Sequence, residues 1–202
     1  MELPAFDRHI ISALLQLLVF AAASLLVAWR NHIALFPARA PSSRAWLAGL
    51  ALYAVAVGLM APRWRHTVAG RARVLRLFMP RSPRERGLWV LASAVAGFSE
   101  EITWRGVQFS LLWILTDDAI AAASVCALMF GAAHMVQGFG ASAAIVLFAF
   151  AFQLLVYYTG SLYVAMAVHF AYDVTAGLRY GWLGEELGYF AADDAPDPGS
   201  QR

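Results

Sequence analysis

Read along the chain, apolar residues fall in windows of about 20, the length one helical crossing of a hydrocarbon core requires, and the segments between and flanking them hold most charges and turn-forming residues. Six windows predict six spans: about His9 to Trp29, Ala45 to Ala61, Leu88 to Leu115, Ile120 to Val136, Ser142 to Thr159 and Leu162 to Tyr180. The second is short and bounded by Arg44 and by Pro62-Arg63; the third is too long for one straight crossing. Gln137-Gly138-Phe139-Gly140 and Gly160-Ser161 read as turns. No internal repeat is visible.

Between the second and third spans, residues 71–79 set Val74, Leu75, Leu77, Phe78 and Met79 among Arg71, Arg73 and Arg76. This pattern suits a short interfacial helix on the membrane surface, stopped by Pro80, as well as it suits a solvated linker. From Gly184 onward, Glu185, Glu186, Asp193, Asp194 and Asp197 beside Pro196 and Pro198 read as a frayed acidic end. The expected organisation is two N-terminal spans (1–62), an arginine-rich loop (63–86), a membrane core (87–180) and an acidic tail (181–202).

Composition strengthens this picture. Apolar residues make up 61% of the 202 and charged residues 14%, with a mean hydropathy of +0.62, whereas soluble domains hold about 45–50% and 25%. A disordered chain, a soluble nucleic-acid binder and a disulfide-stapled module are excluded. The fold class is therefore all-α, a polytopic transmembrane helix bundle. The N-terminal flank, with Glu2, Asp7 and Arg8, is not the basic region of a secretory signal, so the first span reads as a retained anchor. Cys126, the single cysteine, is a packing residue.

Charge sets the expected orientation. There is no lysine, and eight of fifteen basic residues lie between Arg63 and Arg86. By the positive-inside rule this loop is cytoplasmic, which puts both termini inside and Thr116 to Asp118 outside; Arg30, Arg39 and Arg44 then sit on the minority side.

Ionisable groups at bilayer depth are expensive and mark function. Glu100, Glu101 and Arg105 stand on the third span, His134 on the fourth, and His169 with Asp173 on the sixth. Glu101 and Arg105, four apart on one face, can neutralise each other as an interhelical clamp. Glu100 points about 100° away with no local cation, which suits a general base. Either histidine alone would read as interhelical glue. Together with a lone glutamate on three apolar helices, they point to a site. His169 and Asp173, also four apart, can act on one small target.

The residues are spelled EEITWRG at Glu100 to Gly106, FGAAH at Phe130 to His134, and HFAYD at His169 to Asp173. In order, these resemble the EExxxR, FxxxH and HxxxN/D motifs of the CPBP (CAAX protease and bacteriocin-processing, or Abi) family of intramembrane proteases, related to the type II CAAX prenyl endopeptidase. The resemblance covers about residues 87–180. It implies a membrane-embedded endopeptidase in which Glu100 and His134 activate water, His169 and Asp173 stabilise the oxyanion, and Glu101 and Arg105 support them. Elementary chemistry agrees, since amide hydrolysis needs a base for water and donors for the oxyanion. No G-x-S-x-G motif competes, and no histidine-based signature surrounds Cys126.

Two features fit the resemblance poorly. Many family members carry Asn where this chain has Asp173, and an ionised Asp cannot donate to an oxyanion. Glu100 lies about 20 Å beyond Gly87, while His134 is near its own helix end, so either the third helix enters the membrane later or the site sits in a water-filled cavity.

The expected site is metal-free and without cofactor; Glu100, His134 and His169 would be the ligands if zinc were bound, although the H-E-x-x-H helix is missing. Expected partners are the bilayer and a membrane-anchored peptide or protein, with no nucleic acid. The expected location is a bacterial inner membrane. The competing readings are a non-proteolytic immunity or scaffold protein and a proton-coupled transporter, the latter weakened by the lack of a repeat.

Overall fold

The computed structural model describes residues 5–37 and 39–192 and contains seven α-helices and no strand among them. They are α1 (Phe6–Arg30), α2 (Ser43–Ala69), α3 (Pro83–Glu100), α4 (Phe109–Thr116), α5 (Ala119–Ala133), α6 (Phe139–Thr159) and α7 (Leu162–Glu186). A π-helical segment, Glu101–Gln108, joins α3 to α4 without a break. Three helices, α1, α2 and α6, are long and apolar enough to cross a bilayer, and α5 is apolar but shorter. Their outer faces are unsuited to water: Leu15, Val19 and Leu26 of α1 and Leu47 and Leu50 of α2 are each more than 60% exposed.

The long third window is thus a single helical rod whose middle changes hydrogen-bond register. The π segment begins at the second glutamate and ends beyond Arg105, in keeping with the concentration of such bulges at functional sites. A capping box fixes the start of α3: Ser82 Oγ accepts from Glu85 N–H while Glu85 reaches back to Ser82 N–H. Burial alone would push the Glu85 carboxyl up. The backbone N–H groups of Arg81 and Ser82 and the Arg76 guanidinium outweigh it and hold the group below the usual carboxylate range.

Packing centres on the antiparallel pair α3 and α7, flanked by α1 against α3 and α2 against α7, with α5 and α6 paired beside them. Small residues let the backbones approach, as expected where lipid removes the hydrophobic drive between helices. Gly97 faces the backbone of Met166 and Phe170, Gly177 receives the Trp89 indole, and Gly181 lies on the Pro80 carbonyl. Trp89 also donates its indole N–H to the Asp173 carbonyl oxygen, 2.8 Å away. A Cβ at position 181 would meet rigid backbone. Gly181→Ala is therefore expected to cost about 1–3 kcal/mol, read as a lower thermal midpoint in detergent, whereas Gly58→Ala, with open space around it, should be neutral or slightly stabilising.

Four boundaries differ from the sequence expectation. Helix α2 runs through Pro62 to Ala69 instead of stopping there, because Trp64 and Val68 are buried against Leu75, Met79, Leu183 and Phe190, and Arg63 donates to the Leu59 carbonyl beside the gap in the ladder. Residues Arg73–Phe78 do form a short helix, of 3-10 type. Its apolar side chains Leu75 and Leu77 are buried in the protein, where the segment packs on α1 and α7. Helix α7 continues past Tyr180 to Glu186, and its last acidic residues are not frayed: Glu186 meets Arg65 at 2.6 Å and Glu185 meets Arg86 at 3.6 Å. Finally, α5 ends at Ala133, and Met135–Gln137 turns into α6, which starts at Phe139. Asp193, Asp194 and Asp197 lie outside the described residues.

The arginine-rich end gathers both ends of the helical chain. Asp7 at the start of α1 pairs with Arg84 at 3.0 Å, while Arg71 donates to the carbonyls of Leu187 and Gly188 after α7.

Candidate active site

Glu100, Glu101, Arg105, His169 and Asp173 meet between the α3–π rod and α7. His169 is the hub, because an imidazole has nitrogens on two edges. Its Nδ1 is 2.8 Å from Glu101 Oε1; its Nε2 is 3.5 Å from Asp173 Oδ2 and 3.7 Å from Glu100 Oε2. The two adjacent glutamates, about 100° apart on a helix, therefore address opposite edges of one ring. Glu100, with no cation beside it on its own face of the rod, finds its partner on α7.

Glu101 is wholly buried and Arg105 nearly so, with Arg105 Nη1 3.1 Å from Glu101 Oε1. The clamp read from the i, i+4 spacing is present, and it reaches on to His169. The guanidinium lies over the Phe130 ring at 4.6 Å and near the Phe152 ring at 5.4 Å, contacts that favour a cation away from water. Phe152 also meets His169 edge-on. No local pattern on the apolar fifth window singles out Phe152; the packing of α6 against Val164, Ala165 and Val168 of α7 brings it here.

The hydrogen atoms can be placed by elimination. A carbonyl only accepts, so His134 Nδ1, 2.8 Å from the Phe130 carbonyl oxygen, carries a hydrogen, and the Nε2 of the neutral ring is an acceptor. His169 Nδ1–H donates to Glu101, so Nε2 confronts two carboxyl groups. At least one proton must sit among Nε2, Glu100 and Asp173, since three bare acceptors would repel one another.

These groups line a cavity of about 590 Å³. Glu100, Arg105, His134, His169 and Asp173 share its wall, and it extends to Arg63, His66 and Thr67 at the arginine-rich end. This removes the apparent mismatch in depth. The rod and α5 form a hairpin about Asp117, and Glu100 and His134 stand an equal number of residues before and after that turn. Measured from the shared turn, they lie about 25 Å along their helices. Glu100 therefore lies on the wall of a cavity that reaches the arginine-rich end.

For a metal, the residues do not fit as placed. Among the described residues no three His, Cys, Asp or Glu side chains form a group that could hold an ion. His169 Nδ1 is committed to Glu101, and His134 Nδ1 to the Phe130 carbonyl. The chemistry below is assigned to side chains and water alone.

Residues 83–175 match the family model described as type II CAAX prenyl endopeptidase Rce1-like. The match bears out the resemblance carried by the three motifs and supports an endopeptidase of the CAAX-protease type in a membrane. No curated protein and no solved structure matched the chain.

Proposed function

We propose that the chain is an intramembrane endopeptidase that hydrolyses a peptide bond of a membrane-associated peptide or protein, with water activated by Glu100 and His134. The observation that carries this is a carboxylate, two histidines each held through Nδ1 and a second carboxyl group on the wall of one cavity inside an apolar bundle. In this reading Glu100 takes the proton of a water that also donates to His134 Nε2. The water oxygen attacks the scissile carbonyl carbon, and the proton held by Glu100 passes to the leaving amine. His169 Nε2–H and protonated Asp173 face the oxyanion. Glu101 orients His169, and Arg105 balances Glu101.

A transporter relay is the weaker reading. The rod is continuous through the site, whereas transporter sites are usually built on broken helices with inverted repeats.

Asp173 supplies a sharp test. A donor to an oxyanion must keep its proton, and an Asp loses that role as it ionises with rising pH, while Asn offers an N–H at every pH. Asp173→Asn is expected to retain cleavage within about tenfold and to extend it to higher pH. A loss on the oxyanion-hole scale, about 10²–10³, in a folded Asp173→Asn protein would show that a carboxylate is required there.

The topology belongs to the same proposal: six crossings in a bacterial inner membrane, with the arginine-rich end and both termini cytoplasmic. Eight arginines support the direction, and the meeting of the start of α1 with the end of α7 there favours an even number of crossings. In a Cys126→Ser background, Asp117→Cys should label with an impermeant thiol reagent on intact cells and Ala72→Cys only after lysis. The opposite pattern would invert the protein.

A further inference from the structure

Trp89 stands on α3 about three turns before Glu100, and the α7 surface opposite is shaped to receive it. The indole fills the notch at Gly177, where a Cβ would collide with its Nε1 and Cε2. Glycine inside a helix weakens it, so the notch is a local cost to α7. Phe78 meets the indole edge-on at 6.2 Å, and Phe6, Ile10 and Leu88 cluster around it. The ring so held directs its N–H to the Asp173 carbonyl oxygen, 2.8 Å away.

What lies at the other end of that bond is a site residue whose own side chain is loosely held. Among the described residues the Asp173 carboxyl makes no hydrogen bond, and its ionic neighbour, His169 Nε2, is 3.5 Å away. A carboxyl group in this state takes its place from the backbone that carries it. The carbonyl of Asp173 can accept the indole N–H beside its bond in the helical ladder, because it has two lone pairs. Gly97 against Met166 and Phe170, and Gly181 against Pro80, also fit α7 to the α3 side. Those contacts act by shape; the bond from Trp89 adds direction, and it falls on the residue that most needs it.

We propose that Trp89 is the positioning residue for Asp173. It fixes that turn of α7 against α3, so that the carboxyl stays beside His169 Nε2 and aimed at the oxyanion. The indole itself touches no reacting atom. The inference rests on the peptidase reading, in which Asp173 faces the oxyanion.

Oxyanion donors work within about 2.7–3.1 Å of the oxygen, and a displacement of about 1 Å can cost about 10²-fold. Trp89→Phe keeps a ring over Gly177 and drops the N–H. In nanodiscs it is expected to lower kcat by about 10–10²-fold and to leave KM within about twofold. Gly177→Ala, which displaces the indole from the opposite side, should reproduce this loss and serves where Trp89→Phe does not fold. A double-mutant cycle separates positioning from general loss of structure. With Asp173→Ala the group to be positioned is gone, so adding Trp89→Phe should change kcat by less than about twofold. Apart from cleavage, dicyclohexylcarbodiimide, which modifies protonated carboxyl groups in apolar surroundings, should label Asp173 faster in Trp89→Phe than in the wild type, since a carboxyl released from its place samples more of the cavity. Undiminished kcat in a folded Trp89→Phe protein, or equal losses with and without Asp173, would overturn the proposal. A wild-type protein that cuts nothing would defeat the peptidase reading by itself; the labelling then decides, and equal rates at Asp173 in wild type and Trp89→Phe would overturn the positioning role as well.

Discussion

Replacing Glu100 with glutamine is expected to lower peptide cleavage by about 10²–10⁴, the contribution of a positioned general base, while leaving the purified protein folded. The side chain lies on the cavity wall, 19% exposed, and its nearest ionic partner, His169 Nε2, is 3.7 Å away. Glutamine keeps the shape and an oxygen that can accept from His169, but it cannot take a proton from water. The same substitution removes a negative charge from a place where three carboxyl groups share one imidazole, so thermal stability should hold or rise slightly. The measurement is cleavage of a peptide library by protein in nanodiscs, read by mass spectrometry beside a thermal unfolding curve. Undiminished cleavage by a folded Glu100→Gln protein would remove Glu100 from the mechanism; a wild-type protein that cuts nothing in the library would favour the immunity or scaffold reading.

Glu101→Gln should fail in the opposite way. Its carboxylate is wholly buried between Arg105 and His169, and removing one partner leaves a buried guanidinium uncompensated, at a cost of about 3–5 kcal/mol. For a chain of this length that corresponds to a fall of about 6–20 °C in the unfolding midpoint. Cleavage by whatever remains folded should drop less than in Glu100→Gln, because the amide oxygen can still accept from His169 Nδ1–H. The double variant Glu101→Gln with Arg105→Met should recover much of the stability, since deleting both charges removes the unpaired one. Equal loss of stability in Glu100→Gln and Glu101→Gln would refute the division of roles.

The sequence by itself determined the class of the protein, because 61% apolar residues in windows of about 20 leave a helical membrane bundle as the fold. It also identified the six ionisable residues, since charge at bilayer depth is rare enough to be visible without coordinates. The Glu101–Arg105 clamp was legible for a local reason: an i, i+4 pair needs only one helix. What touched those residues from elsewhere was not legible. That His169 spans both glutamates, that Phe130 and Phe152 hold the Arg105 cation, and that Gln153 lies buried without a partner all depend on the register of α5, α6 and α7 against the rod. That register is set by close contacts such as Gly97 on the α7 backbone and Gly181 on Pro80. Local signals also misjudged the ends of helices where tertiary burial opposed them. Pro62 reads as a stop, but Trp64 and Val68 are drawn into a core built from residues far along the chain, and the helix continues. Likewise Glu185 and Glu186 read as a loose acidic end until Arg86 and Arg65, a hundred residues away, fold back to meet them. Periodicity and charge report what one helix must do in a membrane; which side chains then meet is decided by packing between helices, which no single window of sequence contains.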